Sequence, residues 1–141
     1  MQIILRDYHI TDKKYLALLF YQIQQEEFPW IDKNTLFLTD FERSTEGERI
    51  FVAEVNGKIA GFISVWTPDK FIHNLFVVKN FRHLHIGQAL IEKVLLTFGK
   101  PLTLKCIAQN KTALQFYLSH GWIIQEDGIC DEGTYYLMIL E

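Results

Sequence analysis

Several things are scarce or missing in this chain. It has two cysteines, Cys106 and Cys130, without the CxxC spacing of a metal or redox site, so free thiols in a reducing compartment are expected. No run of 18 uninterrupted apolar residues occurs, and the first residues lack the long apolar region of a signal peptide. A cytoplasmic protein without a membrane partner is expected. Lys and Arg are nowhere concentrated and the net charge is −3, which argues against nucleic acid as a partner. The five histidines lack Cys/His or His-Glu-x-x-His spacing, so no metal site is expected. There is no repeat or low-complexity segment. The 141 residues, 49% of them hydrophobic, predict one domain with a full core.

What is present centres on residues 71–98. Phe71 to Val78 is rich in β-branched and aromatic residues, the composition of a buried central strand. From Gln88 to Phe98, with Ile86, Leu90, Lys93 and Val94 at helical spacing and Ala89 and Leu96 beside them, an amphipathic helix is predicted. The short loop between them carries Arg82 and Gly87. Strand, loop and helix N-terminus in succession leave free backbone N–H groups that can hold a phosphate.

Around this centre the chain reads as alternating elements. Residues 2–8 suggest a strand, and Thr11-Asp12 suggest the caps of a helix over 12–27 with Tyr15, Leu16, Leu19, Phe20 and Ile23 apolar. Pro29 stops that helix. The aromatic knot Phe28-Pro-Trp-Ile31 needs cover, and a second short helix is expected within 34–45, buried through Leu36, Phe37 and Phe41. Asn56-Gly57 between the runs 49–55 and 58–66 predicts a hairpin, since both turn positions need positive φ. Gly99 and Pro101 punctuate the next helix end. Strand 102–107 must lie parallel to 71–78 through a right-handed crossover. A helix over 110–119 and strands near 121–126 and 134–140, joined by a longer loop from Asp127 to Gly133, complete the chain. The C-terminal strands offer an edge, so monomer and homodimer both remain open.

The order Leu75-x-Val77, then Arg82-His-Leu-His-Ile-Gly87 opening an apolar helix, resembles the acetyl-CoA motif of the GNAT superfamily of acyl-CoA N-acyltransferases. His85 stands where the family usually has its first loop Gly, and Leu84 where a basic residue is common. Histidine tolerates left-handed backbone angles better than most residues, so the loop can close. A second stretch, Asn110, Ala113, Phe116, Tyr117, Gly121 and Trp122, is similar to the family's Asn-x-x-Ala-x-x-Phe-Tyr-x-x-x-Gly-aromatic pattern. The resemblance implies an α/β GNAT-like fold: a mixed sheet of about six to seven strands with a splayed parallel pair, flanked by about four helices. It also implies transfer of acetyl from acetyl-CoA, as acyl-donor substrate, to a primary amine of a small molecule or peptide. Two other readings share the fold: an acyl-CoA-binding module without turnover, and an interaction protein that binds no CoA.

The same resemblance suggests site residues. Pantetheine would add to the backbone at Leu75, Phe76 and Val77. The pyrophosphate would sit at Arg82, His83, Leu84, His85, Ile86, Gly87 and Gln88, with Lys79 and Lys111 as further cations. Asn110 reads as a helix N-cap, a cofactor contact, or both. Tyr117, in the family's acid position, would protonate the leaving thiolate. For the base, His73 titrates in the useful range and by strand alternation shares a face with Leu75 and Val77. Glu26 and Glu27 are alternatives, with Asp40 and Glu54 behind them. Trp30, Phe37 and Trp66 are candidates for an aromatic acceptor pocket, with core packing as their other reading.

Overall fold

The computed structural model describes residues 2–141. Seven strands form one sheet: β1 (Ile3–Asp7), β2 (Arg49–Val55), β3 (Lys58–Trp66), β4 (Phe71–Val77), β5 (Leu102–Ile107), β6 (Ile123–Cys130) and β7 (Gly133–Leu140), in the order β1-β2-β3-β4-β5-β7-β6. Four α-helices accompany it: α1 (Lys13–Glu27), α2 (Asp40–Thr45), α3 (Ile86–Phe98) and α4 (Lys111–Ser119). Among the described residues only β4 and β5 pair in parallel, joined through α3.

Strand alternation divides the interior into two layers. On one face Phe51, Ala53, Val55, Ile63 and Val65 meet Ile86, Leu90, Ile91 and Val94 of α3, with Tyr117 of α4 in the same cluster. On the other face Ile50, Val52 and Phe62 meet Leu16, Leu19, Phe20 and Ile23 of α1 and Phe41 of α2. Phe62 lies 5.5 Å from Phe41, edge to face. The hairpin turn takes φ 52 at Asn56 and 79 at Gly57, as the Asn-Gly pair requires.

Several local expectations are corrected. Tyr15 is 53% exposed, because the buried stripe of α1 runs through 16, 19, 20 and 23. Leu96, on the outer side of α3, is exposed. Asp12 does not cap α1 with its side chain. It accepts from the His9 amide at 2.8 Å and from both terminal nitrogens of Arg6 at 2.8 and 2.9 Å, while the Arg6 Nε bonds Glu54. Residues 36–39 precede α2, so Phe41 is buried but Phe37 is not. Strand β6 continues to Cys130, leaving only Asp131 and Glu132 between β6 and β7 instead of a long loop. Gly128, inside the segment expected to be a loop, sits within the strand opposite Tyr135, where a Cβ would lie 2.5 Å from the Tyr135 hydroxyl.

Candidate functional site

The site is made by what β4 and β5 fail to do. They pair only at Phe71↔Thr103 and Ile72↔Leu104. Beyond that point β5 stays with β7 along its length and β4 stays with β3, so the two parallel strands part. A cavity of about 830 Å³ occupies the opening. Residues 71–77 of β4, 104–107 of β5, Glu27 and Phe28 at the end of α1, and Tyr135 line it.

At one end stands the start of α3. His85 takes φ 59, ψ 30, the left-handed conformation, and turns the preceding 3-10 segment (Lys79–Leu84) into the helix. No side chain caps the first amides of α3, which leaves their N–H groups free for an anion. Arg82, His85, Gly87 and Gln88 line this end of the cavity; His83, Leu84 and Ile86 do not, and Ile86 is buried in the core. The Arg82 Nε donates to the Val77 carbonyl at 3.2 Å, and its Nη2 lies 2.5 Å from Oε1 of Glu27. That ion pair ties the end of α1 to the loop. Of the acidic candidates named from the sequence, Glu27 therefore reaches the cavity, and Glu26, Asp40 and Glu54 do not.

Toward the middle lies Tyr117, brought in by α4. Asn110 caps that helix, its Oδ1 accepting from the Ala113 amide at 3.2 Å, and it also lines the cavity. The Tyr117 ring packs edge-on against Phe116 at 5.4 Å and Trp122 at 5.8 Å. Burial, assisted by nearby Cys106, pushes its hydroxyl well above the ordinary phenol range. It therefore stays protonated at any physiological pH. Cys106 is buried on β5 and its thiol is pushed up to about 11 by desolvation, which makes it a poor nucleophile.

His73 departs from the strand-alternation reading. The β3–β4 register shifts from Ser64↔Asn74 to Val65↔Ile72, so His73 is an extra residue in a bulge. Ile72 and Leu75 pack with the α3 layer, while the Asn74 Nδ2 donates to Ser44 of α2 and to Ser64, at 3.0 and 2.9 Å. His73 faces the same way as Asn74: its Nδ1 lies 2.8 Å from Oε2 of Glu48. It does not share a face with Leu75 and Val77. Glu48, in the turn before β2, was not singled out by the sequence; nothing in its local spacing announces a partner 25 residues away. The Glu48 hydrogen bond raises the pKa of His73, the Ser44 carbonyl adds to this, and burial and the Lys105 ammonium oppose it.

The aromatic residues sort differently from expectation. Trp30 stacks edge-on against Phe28 at 5.3 Å, and its Nε1 donates to the Glu132 carbonyl at 2.9 Å, closing the α1 end over the β6–β7 turn. The aromatic lining of the cavity is instead Phe28, Phe71 and Tyr135, with Phe20, Phe76, Phe116 and Tyr117. Phe37 and Trp66 are 53% and 41% exposed and lie outside that wall, as does Trp30. Lys79 and Lys111 are exposed and do not line the cavity. Among the described residues no three His, Cys, Asp or Glu side chains gather where a metal could be held, and no helix is long and apolar enough to cross a membrane.

Comparison with known proteins gives the fold a context. No curated protein sequence matches the chain. The fold is similar to that of apo YjaB from Escherichia coli, at 17% identity over 99% of this chain and 98% of that one, with a TM-score of 0.81. It is also similar to a GNAT-family acetyltransferase from Staphylococcus aureus Mu50, at 23% identity over 99% and 100%, with a TM-score of 0.75. The ribosomal-protein-S18-alanine N-acetyltransferase of Escherichia coli aligns at 20% identity over 99% and 93%, with a TM-score of 0.72. The family model for the acetyltransferase (GNAT) family matches residues 17–122, which take in most of α1, the splayed strands, the left-handed loop and the tyrosine helix; the chain belongs to that family.

Proposed function

We propose that this protein is an N-acetyltransferase that moves the acetyl group of acetyl-CoA to a primary amine of a small molecule or peptide by direct attack. The observation that carries the reading is the splayed β4–β5 gap, where one cavity joins the free amides of α3 to a buried tyrosine hydroxyl and a histidine. The residues present fit a phosphate-bearing thioester. Arg82 and the amides of His85, Gly87 and Gln88, at the positive end of the α3 dipole, would hold the pyrophosphate. The unpaired side of β4 at Leu75, Phe76 and Val77 would bond pantetheine in the manner of an added strand. Asn110 keeps its cap and has an amide left for the donor.

An alkyl amine with a pKa of ~10 is mostly protonated at neutral pH, so a base must remove a proton before attack. His73 takes it. The nitrogen lone pair then forms a bond to the thioester carbonyl carbon, and a backbone N–H of Phe76 or Val77 stabilises the oxyanion. As the carbon–sulfur bond breaks, the Tyr117 hydroxyl gives its proton to the departing thiolate, the new amide nitrogen loses its second proton to solvent, and the proton held by His73 returns through solvent to Tyr117. Phe28, Phe71 and Tyr135 form the acceptor wall beside His73. Glu27 is the second candidate for contact with the acceptor amine, once Arg82 engages a phosphate. The 141 residues act as one domain, as monomer or homodimer in the cytoplasm, a setting supported by the free thiols of Cys106 and Cys130.

Melting temperature with and without excess acetyl-CoA, with CoA and ATP as controls, tests the donor. A ligand at ~100 times its dissociation constant adds about 2.7 kcal/mol, so acetyl-CoA and CoA should raise the melting temperature and ATP should barely move it. Thiol release from acetyl-CoA across polyamines, amino acids and peptides then tests the transfer. No shift and no thiol release with any amine would overturn the proposal.

A further inference from the structure

We propose that Glu48 is a positioning residue for the transfer: its carboxylate accepts the Nδ1 hydrogen of His73 and holds the imidazole in the tautomer whose Nε2 lone pair takes the amine proton. This deepens the acetyl-transfer reading and rests on it. The contact is 2.8 Å long, within the range of a charge-assisted hydrogen bond. The Glu48 side chain is only 6% exposed, and its second oxygen, Oε1, is buried without a hydrogen-bond partner. A carboxylate taken out of water and half satisfied costs free energy, and a polar residue in a turn has no packing need to be there. The bulge supplies an independent observation. The extra residue it inserts into β4 is His73, and insertion turns that ring onto Glu48 while leaving it in the cavity lining. The pair thus has a buried carboxylate end and an imidazole end that meets the ligand space.

Four groups surround the ring. Glu48 and the Ser44 carbonyl favour its charged form, the Lys105 ammonium disfavours it, and the Phe71 ring, 6.1 Å away, is neutral. Removing the Glu48 charge therefore lowers the pH at which His73 loses its proton. During the reaction Glu48 accepts no proton; the imidazolium formed on proton uptake is stabilised by its negative charge.

The test is Glu48→Gln, read in two ways: the titration of His73 by NMR, assigned with His73→Gln, and the pH profile of kcat/KM with acetyl-CoA and the best amine of the panel. Expected are a downward move of the His73 titration, an equal downward move of the acid limb of the profile, and a fall in plateau kcat of about tenfold or more with unchanged KM for acetyl-CoA. Glu48→Asp, which keeps the charge, should recover part of the plateau rate and carries the test if the Gln variant does not fold. A His73 titration that moves while the acid limb stays in place would overturn the proposal, because His73 would not be the base. An unmoved titration would overturn it too, since the two groups would not be coupled. If the unaltered protein transfers acetyl to no amine, the parent reading fails, and the NMR titration still reports separately whether Glu48 governs His73.

Discussion

Strands β2 and β3 stay paired from Arg49↔Val65 to Val55↔Lys58, whereas β4 and β5, two strands away in the same sheet, meet at only two residue pairs. The first pair is sealed on both faces, with Phe51 and Phe62 fully buried. The second leaves backbone and cavity open between Tyr117, His73 and the start of α3. A backbone group already bonded to a neighbouring strand cannot bond a ligand, so the region that binds must forgo the pairing that stabilises. The closed hairpin lets β4 keep one paired edge while the other is left free.

Four substitutions or conditions would break or sharpen this contrast. The largest effect on folding is expected at Phe62→Ala, which opens a cavity against Phe20, Phe41 and Phe76 and should cost about 3–5 kcal/mol in chemical denaturation. Acetyl-CoA binding by the folded fraction should also weaken, because the cavity lies against Phe76. Next, Tyr117→Phe should lower kcat by about 10²-fold or more with little change in the acetyl-CoA dissociation constant and in stability. A small change in kcat would leave Tyr117 as packing alone. Gly61→Ala couples the two regions: a Cβ there would lie 2.4 Å from the Phe76 carbonyl oxygen, so β3 and β4 must separate. A loss of about 1–3 kcal/mol is expected, together with weaker acetyl-CoA binding because Phe76 shifts.

The smallest effect is a pH dependence on the closed side, away from the gap. Arg6 holds the Asp12 carboxyl below the usual carboxylate range, and the His9 amide contributes while burial opposes. A depressed native value means stability that is present above the unfolded pKa of ~3.9 and lost as pH falls through the folded value. Asp12→Asn should therefore reduce stability at neutral pH and flatten the acid limb of a stability–pH curve, with no effect on ligand affinity.

Much of the closed side was legible in the residues. Asn56-Gly57 predicts its turn because two positive φ angles are needed in succession, and both are found. Helical spacing in α1 marks Leu16, Leu19, Phe20 and Ile23, all buried. The left-handed loop was legible at His85 through resemblance to a motif with glycine there, and the backbone takes that conformation. Less legible was anything that depends on register. Strand alternation put His73 on the face of Leu75 and Val77, but one extra residue in β4 breaks the period of two. The aromatic pocket was misassigned for a similar reason: Phe37 lies outside any helix, and Trp66, at the end of β3, lies outside the opening.

The residue pattern by itself determined the element types, the hairpin, the crossover that makes β4 and β5 parallel, and the family motifs, because periodicity, turn conformation and helix ends are set within a few residues. Only the tertiary structure decided how far β4 and β5 separate, which glutamate stands behind His73, and which aromatics face the cavity. Those depend on pairing among distant segments, where a bulge of one residue redirects a side chain and no local signal records it.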